Sequence, residues 1–352
     1  MGPPPRRLLD AVMQFVSVVQ EREETPVQAS SDIAIHTVAI LDAGEVYRGQ
    51  VFHEGHLWEG HSTGGVASYR LDVHSADGGQ VLASARVPHT LEFLYPFGPH
   101  TILVVGKHFT DRCGWLTYHS IARFRNERLR VTTTPLPMAL RVEQFGGRAG
   151  HMYFNETGSR KVFRWTRLGA RPLTPDIHLP GVILPYEKFV FVLERNRISP
   201  GAENIVKIDL ASQRIDRTFT QTRNKLSTMI DLQGFPWIAA VETWADQVLL
   251  IDKDSNTLAA TLPAAGTPVD AVQVGGHLLV VSREPKRLRF FDLVAPGTPQ
   301  VAEWDLSALG DDFANLTTVH ADPQTGNVFL RSPFHPQVAG NTPAVKMVMR
   351  LG

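Results

Sequence analysis

The sequence predicts an all-β fold, a seven-bladed β-propeller that is closed by an N-terminal strand and preceded by a short amphipathic α-helix. Three segments carry this prediction, because each contains an apolar strand that ends in an aspartate, then a polar turn and a second strand. The aspartates are Asp209, Asp252 and Asp292, which lie 43 and 40 residues apart. A fixed period of this length, with four short strands per unit, is typical of propeller blades.

From residue 33 onwards the chain divides into one isolated strand and a series of similar repeats. The isolated strand covers 33–40. The repeats cover 44–87, 90–136, 139–179, 181–221, 226–262, 268–306 and 314–351. The last repeat supplies only three strands, so we expect the strand at 33–40 to complete it. Pairing the first strand with the last blade would remove the two exposed sheet edges of an open ring.

Length and composition are consistent with one repeat domain at 33–352, behind an N-terminal helical arm and linker at 1–32. The chain has 352 residues, 28 of them Gly and 24 Pro, and it contains no apolar run long enough to cross a bilayer. In the arm, Leu8, Val12 and Phe15 fall on one face of a helix. This apolar face is expected to pack on the propeller's own flank; the alternative is another chain.

The features that bear on compartment favour the cytoplasm. Cys113 is the only cysteine, which excludes an intrachain disulfide. The N-terminal apolar stretch follows two arginines, but Asp10 and Gln14 interrupt it, unlike the apolar core of a secretory signal. A secreted or periplasmic location stays open as the alternative.

Charged residues end the second strand of every predicted blade, on the face where propellers bind ligands. Candidates for an acid, a base or a metal ligand are Glu59, His61, Glu156, Glu194 and Glu242. Candidates for ligand binding are Lys107, His108, Arg195, Arg283, Glu284 and Arg331. Such a ring is suited to bind a polar ligand or to transfer protons. Alternatively, these side chains are simply exposed to solvent at the strand ends, and their positive and negative charges neutralise one another.

The histidines and aspartates form no motif with the spacing of a known metal site. His53 and His56 are one residue too close for the helix of a zinc protease. The segment 252–256 begins like a calcium loop, but the glycine and the bidentate glutamate of such a loop are replaced. The sequence therefore assigns no metal ligands.

The net charge is zero, since 35 cations balance 35 anions, but one part of the chain is strongly basic. Residues 123–171 include eleven Arg and Lys residues against three Glu. Residues at i and i+2 share one face of a strand, so these side chains predict an anion-attracting patch on the outer rim of the second and third blades. The patch comprises Arg123, Arg125, Arg128, Arg130, Arg160, Lys161 and Arg164. Few aromatic residues accompany them, so specific nucleic-acid recognition is not expected.

The segment 248–272, VLLIDKDSNTLAATLPAAGTPVDAV, resembles the seven-bladed propellers of the YVTN-repeat family and the broader group similar to the amine dehydrogenase heavy chain. The resemblance implies a fold and leaves the activity open. Two departures limit it. The YVTN tetrapeptide is replaced by 239–242 and 279–282, and the chain lacks the paired cysteines or tryptophans that a derived quinone cofactor requires.

A second, local resemblance involves the segment 51–82. Its WEGHSTG run at 58–64 is similar to the aromatic-Glu-Ser-Thr-Gly segment near the central site of propeller-type glutaminyl cyclases. Here Gly60 and His61 interrupt the motif, and no second motif of that family follows.

We therefore expect a binding or scaffold propeller that contacts a protein partner or a polyanion through its axial face and its basic rim. The alternative is an enzyme, either a hydrolase, a lyase or a cyclase, with a Glu and His site at the axis that works with or without a divalent metal ion. A small-molecule ligand at the axis is compatible with both. The two interpretations differ in one observation, namely whether the acidic and histidine candidates meet at one point or pair off within their own blades.

Overall fold

A computed structural model describes residues 35–42, 46–62, 69–91, 93–110, 114–135, 142–148, 151–156, 160–166, 169–173, 176–195, 203–221, 225–307, 318–322, 326–332 and 345–351. The predicted N-terminal helix and linker at 1–32 lie outside these ranges. Within them, no helix has the length and apolar character needed to span a membrane.

The described chain forms 28 β-strands, which hydrogen-bond as seven four-stranded antiparallel sheets, called blades here. Blade 1 consists of β2 (Val46–His53), β3 (His56–Ser62), β4 (Tyr69–His74) and β5 (Val81–Val87). Blade 2 consists of β6 (Phe93–Gly98), β7 (Thr101–Thr110), β8 (Gly114–Arg125) and β9 (Arg128–Pro135). Blade 3 consists of β10 (Val142–Arg148), β11 (His151–Glu156), β12 (Val162–Thr166) and β13 (Gly169–Pro172).

The remaining blades repeat this meander. Blade 4 consists of β14 (Pro180–Tyr186), β15 (Phe189–Glu194), β16 (Glu203–Asp209) and β17 (Arg214–Gln221). Blade 5 consists of β18 (Leu226–Asp231), β19 (Trp237–Glu242), β20 (Gln247–Asp252) and β21 (Leu258–Pro263). Blade 6 consists of β22 (Pro268–Val274), β23 (His277–Arg283), β24 (Lys286–Asp292) and β25 (Gln300–Asp305). Blade 7 consists of β26 (Thr318–Ala321), β27 (Asn327–Ser332), β28 (Val345–Leu351) and β1 (Ile35–Asp42).

The blades form a ring, because the first strand of each blade contacts the first strand of the next: β2, β6, β10, β14, β18, β22 and β26 follow one another, and β26 returns to β2. The all-β propeller prediction is confirmed. The first strand of the chain pairs with the last, as the sequence predicts, with Ile35 opposite Leu351 and Asp42 opposite Val345. We call the interface between blade 7 and blade 1 the seam.

Apolar side chains on both faces of each blade hold the ring together. In β23, Leu278 and Val280 face blade 5, whereas Leu279 and Val281 face blade 7. Successive residues of a strand point to opposite faces, so a strand that is buried on both faces reads as a continuous apolar run. A blade therefore completes its core only when both neighbours are present.

The three aspartates that carry the predicted period occupy one place in blades 4, 5 and 6. Asp209, Asp252 and Asp292 each end the third strand. Each carboxylate accepts backbone N–H groups two and three residues further on, at 2.7–3.1 Å. These hydrogen bonds favour the charged form, so they hold the pKa of all three carboxyls below the ordinary value of 3.8. The repeat signal in the sequence is thus an Asx turn between the third and fourth strands.

The Asp252 turn makes stability depend on pH. The N–H of Ser255 is the main cause of the lowered pKa of Asp252, so the carboxylate stabilises the fold above its ordinary pKa and loses this effect as the pH falls through the lower native pKa. We expect Asp252→Ala to cost about 1 kcal/mol at pH 7, a modest value because the turn is open to solvent. The difference from the wild type should shrink below about pH 4. Thermal denaturation across this pH range measures it.

The control is Asp254→Ala in the same turn. Among the described residues, the Asp254 carboxylate accepts no hydrogen bond, and only its backbone groups are used. An equal loss of stability in the two variants, or a loss in Asp252→Ala that does not change with pH, would contradict this account.

The β1–β28 pairing gives a second prediction. Deleting residues 1–42 removes β1 and leaves β28 as an unpaired edge, so we expect aggregation or a melting temperature lower by about 10 °C or more. Deleting residues 1–24 keeps β1 and should leave the propeller folded. Circular dichroism and size-exclusion chromatography compare the two. A monomeric 43–352 fragment that melts with the full chain would contradict the role assigned to β1.

Candidate functional site

The acidic residues at the ends of the second strands are bound mainly within their own blades. The Glu194 carboxylate in blade 4 accepts hydrogen bonds from the backbone N–H of His178 and from the Asn204 side chain, both at 2.7 Å. In blade 5, Glu242 is fully buried and accepts a hydrogen bond from the Gln247 side chain. These groups hold strand ends and connections together, and each has a partner of its own.

The other strand-end candidates divide into two groups. Arg195, Arg283 and Glu284 follow or end their strands, and their backbone N–H groups bond to the connection from the preceding blade at 3.0–3.1 Å. Lys107, His108, Glu156 and Arg331 lie in β7, β11 and β27, and their side chains are outside the described part of the structure. Among the described candidates, only Glu59 and His61 come together.

Glu59 and His61 belong to a buried polar group on one face of blade 1, which we call the seam cluster. Its members are Gln50, Glu59, His61, Asp72 and His74. The Nε2 atom of His74 lies 3.1 Å from Oε2 of Glu59. The Nε2 atom of His61 lies 3.7 Å from the same oxygen and 3.4 Å from Oδ2 of Asp72. Two neighbouring strands, β3 and β4, therefore bring two imidazoles and two carboxylates to one place.

Strand alternation explains why these side chains meet. Gln50 lies opposite Glu59, and Glu59 lies opposite Asp72, so all three project from the same face of the sheet. The intervening residues of the same strands, such as Trp58 and Leu71, face the other way, into the apolar core with blade 2. One face of blade 1 is thus apolar, and the other, which is also buried, is mainly polar.

The polar face of blade 1 lies at the seam. Leu57, on the same face as Glu59, packs with Phe329 of blade 7, and Phe52 stacks on that ring with centroids 6.0 Å apart. His320 of blade 7 is close enough to Glu59 for the negative carboxylate to favour the protonated form of its imidazole. Burial lowers the pKa of His320 to about 4, against the opposing effect of Glu59, so its imidazole is neutral at physiological pH.

Asp72 is fixed by two neighbours in its own blade. The Arg70 guanidinium donates to it, with Nε 2.9 Å from both carboxylate oxygens, and the Ser84 hydroxyl donates to Oδ1 at 2.7 Å. Asp72 is thus an oriented acceptor beside His61.

Of the five members of the seam cluster, Glu59 and His61 are predicted from the sequence, whereas Gln50, Asp72 and His74 are not. A signal was available in the run from Arg70 to His74, which alternates polar and apolar residues in phase with β3. Such alternation normally indicates one solvated face. In the closed ring, blade 7 covers that face. A local sequence pattern cannot reveal this contact, because the two blades are far apart along the chain.

The basic residues of blade 2 form a compact surface that we call the arginine hairpin, comprising Arg123, Arg125, Arg128 and Arg130. Strands β8 and β9 meet at Asn126 and Glu127, whose positive φ angles of 49° and 58° are those of a tight two-residue hairpin turn. In the register, Arg123 lies opposite Arg130 and Arg125 opposite Arg128. All four side chains are exposed on one face.

The four arginines line an open cavity of about 530 Å³ together with Asn126. The Nε atom of Arg123 lies 3.4 Å from the Thr101 hydroxyl. In the part of the chain that the structure describes, none of the four guanidinium groups has a carboxylate within ion-pair distance. Four positive charges therefore share one concave surface.

The remaining residues of the predicted patch lie in blade 3 and differ from the arginine hairpin. Lys161 forms an ion pair with Asp176. Arg164 is partly buried, and its charge opposes the rise that burial causes in the pKa of Tyr153. Arg160 is exposed. Within the predicted patch, the arginine hairpin is thus the part whose positive charges have the fewest partners among the described residues.

A buried hydrogen-bond chain joins the two strands of the arginine hairpin at Ser120 and Thr133, three residues from Arg123 and Arg130. His89, in the connection between blades 1 and 2, is fully buried and has Nδ1 2.7 Å from the Thr90 carbonyl. A carbonyl only accepts, so Nδ1 donates, and in the neutral imidazole Nε2 accepts from the Ser120 hydroxyl at 2.7 Å. The Thr133 hydroxyl then donates to Ser120, also at 2.7 Å. This chain joins β8 and β9 to the connection between the blades.

Comparison with known proteins shows the fold and no narrower relationship. No family model matches the sequence, and the search of curated proteins finds no similar one. The chain is similar to a chain of the solved structure "Crystal Structure of Mitotic Checkpoint Complex", with a TM-score of 0.64 and 10% identity over 93% of this chain and 95% of that one. Solved chains that match number 1127, so the architecture is common and does not by itself specify a function. The resemblances to the YVTN-repeat group and to glutaminyl cyclases receive no support from a family match.

The packing of blade 2 on the connection from blade 1 can be tested at Gly106. A Cβ atom at this position would overlap the Thr90 carbonyl oxygen and lie 2.8 Å from Nδ1 of His89. Backbone cannot yield as a flexible side chain does, so we expect Gly106→Ala to destabilise the fold by about 3 kcal/mol or more. Gly98→Ala in the same blade is the matched control, because nothing lies within 4 Å of its Cβ position. Equal denaturant midpoints for the two variants would refute the tight packing.

Proposed function

We propose that this β-propeller is a binding and scaffold module that docks an acidic segment of a protein partner on the arginine hairpin. The observation that carries the proposal is the group of four exposed guanidinium groups around one cavity, none with a carboxylate partner among the described residues. The planar guanidinium group has paired N–H donors that match the two oxygens of a carboxylate. An acidic segment would supply the missing acceptors.

The backbone under these charges is well suited to recognition. The tight turn at Asn126 and Glu127 and the hydrogen-bond chain through His89 fix the two strands before a partner arrives. A surface that is ordered in advance loses less conformational entropy on binding than a mobile loop. The charges are exposed, so the attraction should fall with ionic strength.

The structural comparison supports a protein partner in general terms. The similar solved chain belongs to a structure named as a complex, and propellers present wide surfaces for such contacts. The N-terminal arm at 1–32 stays a predicted second contact surface, and the cytoplasm stays the predicted compartment.

The enzyme alternative has less support. It needs the strand-end acids and histidines to converge at the axis. Among the described residues, Glu194 and Glu242 have partners within their own blades, and Glu59 and His61 meet in the seam cluster, away from both.

The test removes the four charges of the hairpin together. The variant Arg123→Gln, Arg125→Gln, Arg128→Gln, Arg130→Gln should bind a labelled poly-glutamate peptide about tenfold more weakly than the wild type at low salt, because several exposed contacts of less than about 1 kcal/mol each are lost. Its melting temperature should hardly change. Fluorescence anisotropy in a salt series measures the binding.

The matched control removes four exposed charges from blades 4 and 5. It carries the substitutions Lys188→Gln, Arg214→Gln, Arg217→Gln and Lys225→Gln. Equal losses in the two variants would leave net charge as the only determinant and would overturn the proposal. Weakened retention on heparin with unchanged peptide binding would overturn the acidic protein segment in favour of a sulfated polyanion.

A further inference from the structure

We propose that the seam cluster is a binding site for one divalent transition-metal ion of the zinc class, held by Glu59, His61 and His74. One ligand atom from each residue lies within 4.8 Å of the other two, and all three side chains are buried. This site is independent of the arginine hairpin and of the proposed docking function.

The distances between the polar atoms suit tetrahedral coordination. Zinc bonds to nitrogen and oxygen ligands at about 2.0–2.2 Å, which places neighbouring ligand atoms of a tetrahedron roughly 3.3 Å apart. In the structure, the Glu59 oxygen lies 3.1 Å from Nε2 of His74 and 3.7 Å from Nε2 of His61. The nitrogens of the two histidines lie within 4.8 Å of each other, so an ion fits between the three atoms once the imidazoles close on it.

The donor set selects the class of metal. Two imidazoles and one carboxylate suit zinc and neighbouring transition ions, whereas calcium and magnesium prefer oxygen ligands alone. Asp72, held by Arg70 and Ser84, has Oδ2 3.4 Å from the same Nε2 atom of His61, so its carboxylate lies beside the proposed ion.

Gln50 provides an independent observation that points to a ligand. It is 6% exposed, and neither its amide oxygen nor its amide nitrogen has a hydrogen-bond partner among the described residues. Because Gln50 lies directly opposite Glu59 in the register, its side chain projects on the face of the sheet that carries the cluster. Buried amides are rarely left unbonded. A water molecule on the fourth position of the metal would give this amide a partner.

The location of the site suggests what the ion would do. Among the described residues, the apolar contact across the seam consists of Leu57, Phe52 and Phe329, whereas the other blade interfaces have larger apolar clusters. A metal bound by residues of β3 and β4 would hold the side chains on the polar face of blade 1 in the positions in which they pack against blade 7. The ion would thereby stabilise the closed ring.

The experiment uses the full chain. The protein is treated with a chelator, loaded with Zn²⁺, separated from free metal by desalting and analysed for zinc by mass spectrometry. We expect about one bound zinc per chain and a higher melting temperature than that of the metal-free protein. Co²⁺ in place of Zn²⁺ should give the visible absorption of a four- or five-coordinate ion with nitrogen and oxygen ligands.

Two variants test the assignment of the ligands. Glu59→Gln and His74→Gln should each lose the retained zinc and the metal-dependent rise in melting temperature. The matched control is His56→Gln, on the same strand as His61 but outside the cluster, where Nδ1 bonds to the Glu54 carbonyl. This variant should keep both.

A folded wild-type protein that retains far less than one zinc and melts at the same temperature with and without it would overturn the proposal, and the cluster would then be a set of buried ion pairs. The proposal also fails if all three variants lose zinc equally, which would indicate scattered surface histidines. If the ligand variants do not fold, the wild-type Co²⁺ spectrum decides, because an octahedral, weakly absorbing ion excludes the site.

Discussion

Ring closure is the constraint on which the rest of this structure depends. Every blade buries both of its faces against its neighbours, so none is stable until a neighbour covers each side. Six interfaces join blades that follow one another along the chain, and the seventh joins the last blade to the first. That seam requires the most distant contacts in sequence, and loop-closure entropy makes such contacts the costliest to form.

Polar groups at the blade interfaces are organised around this constraint. Between blades 4 and 5, the buried Lys207 ammonium lies 2.6 Å from the Asp254 carbonyl oxygen, 3.1 Å from Asp216 and 3.8 Å above the Phe189 ring. Lys253 is bonded similarly to two carbonyls and to Asp231. A buried charge is tolerated when it has several partners, and it then fixes the angle between two sheets. The seam cluster has the same position between blades but a different chemistry, with imidazoles in place of ammonium groups.

The sequence predicted well what local chemistry determines. Asp252 signals its turn because its carboxylate bonds to the next few N–H groups, and alternation placed Arg123 and Arg125 on one face of a strand. The first and last strands pair because an unpaired edge is unfavourable in any ring. Only two members of the seam cluster, Glu59 and His61, could be predicted from the sequence. Bringing His74 beside Glu59 requires the register of β3 on β4, and burying both requires blade 7, neither of which is encoded in a short window.

The β1–β28 pairing also determines how the chain can be rewired. Since Ile35 lies opposite Leu351, the polypeptide enters the ring and leaves it side by side at the outer edge of blade 7. A short linker could join these two positions along the outer edge of blade 7, and a new break could be placed in any connection between blades. Such a circular permutant would keep every interface between blades and would move the two chain ends from blade 7 to another place in the ring.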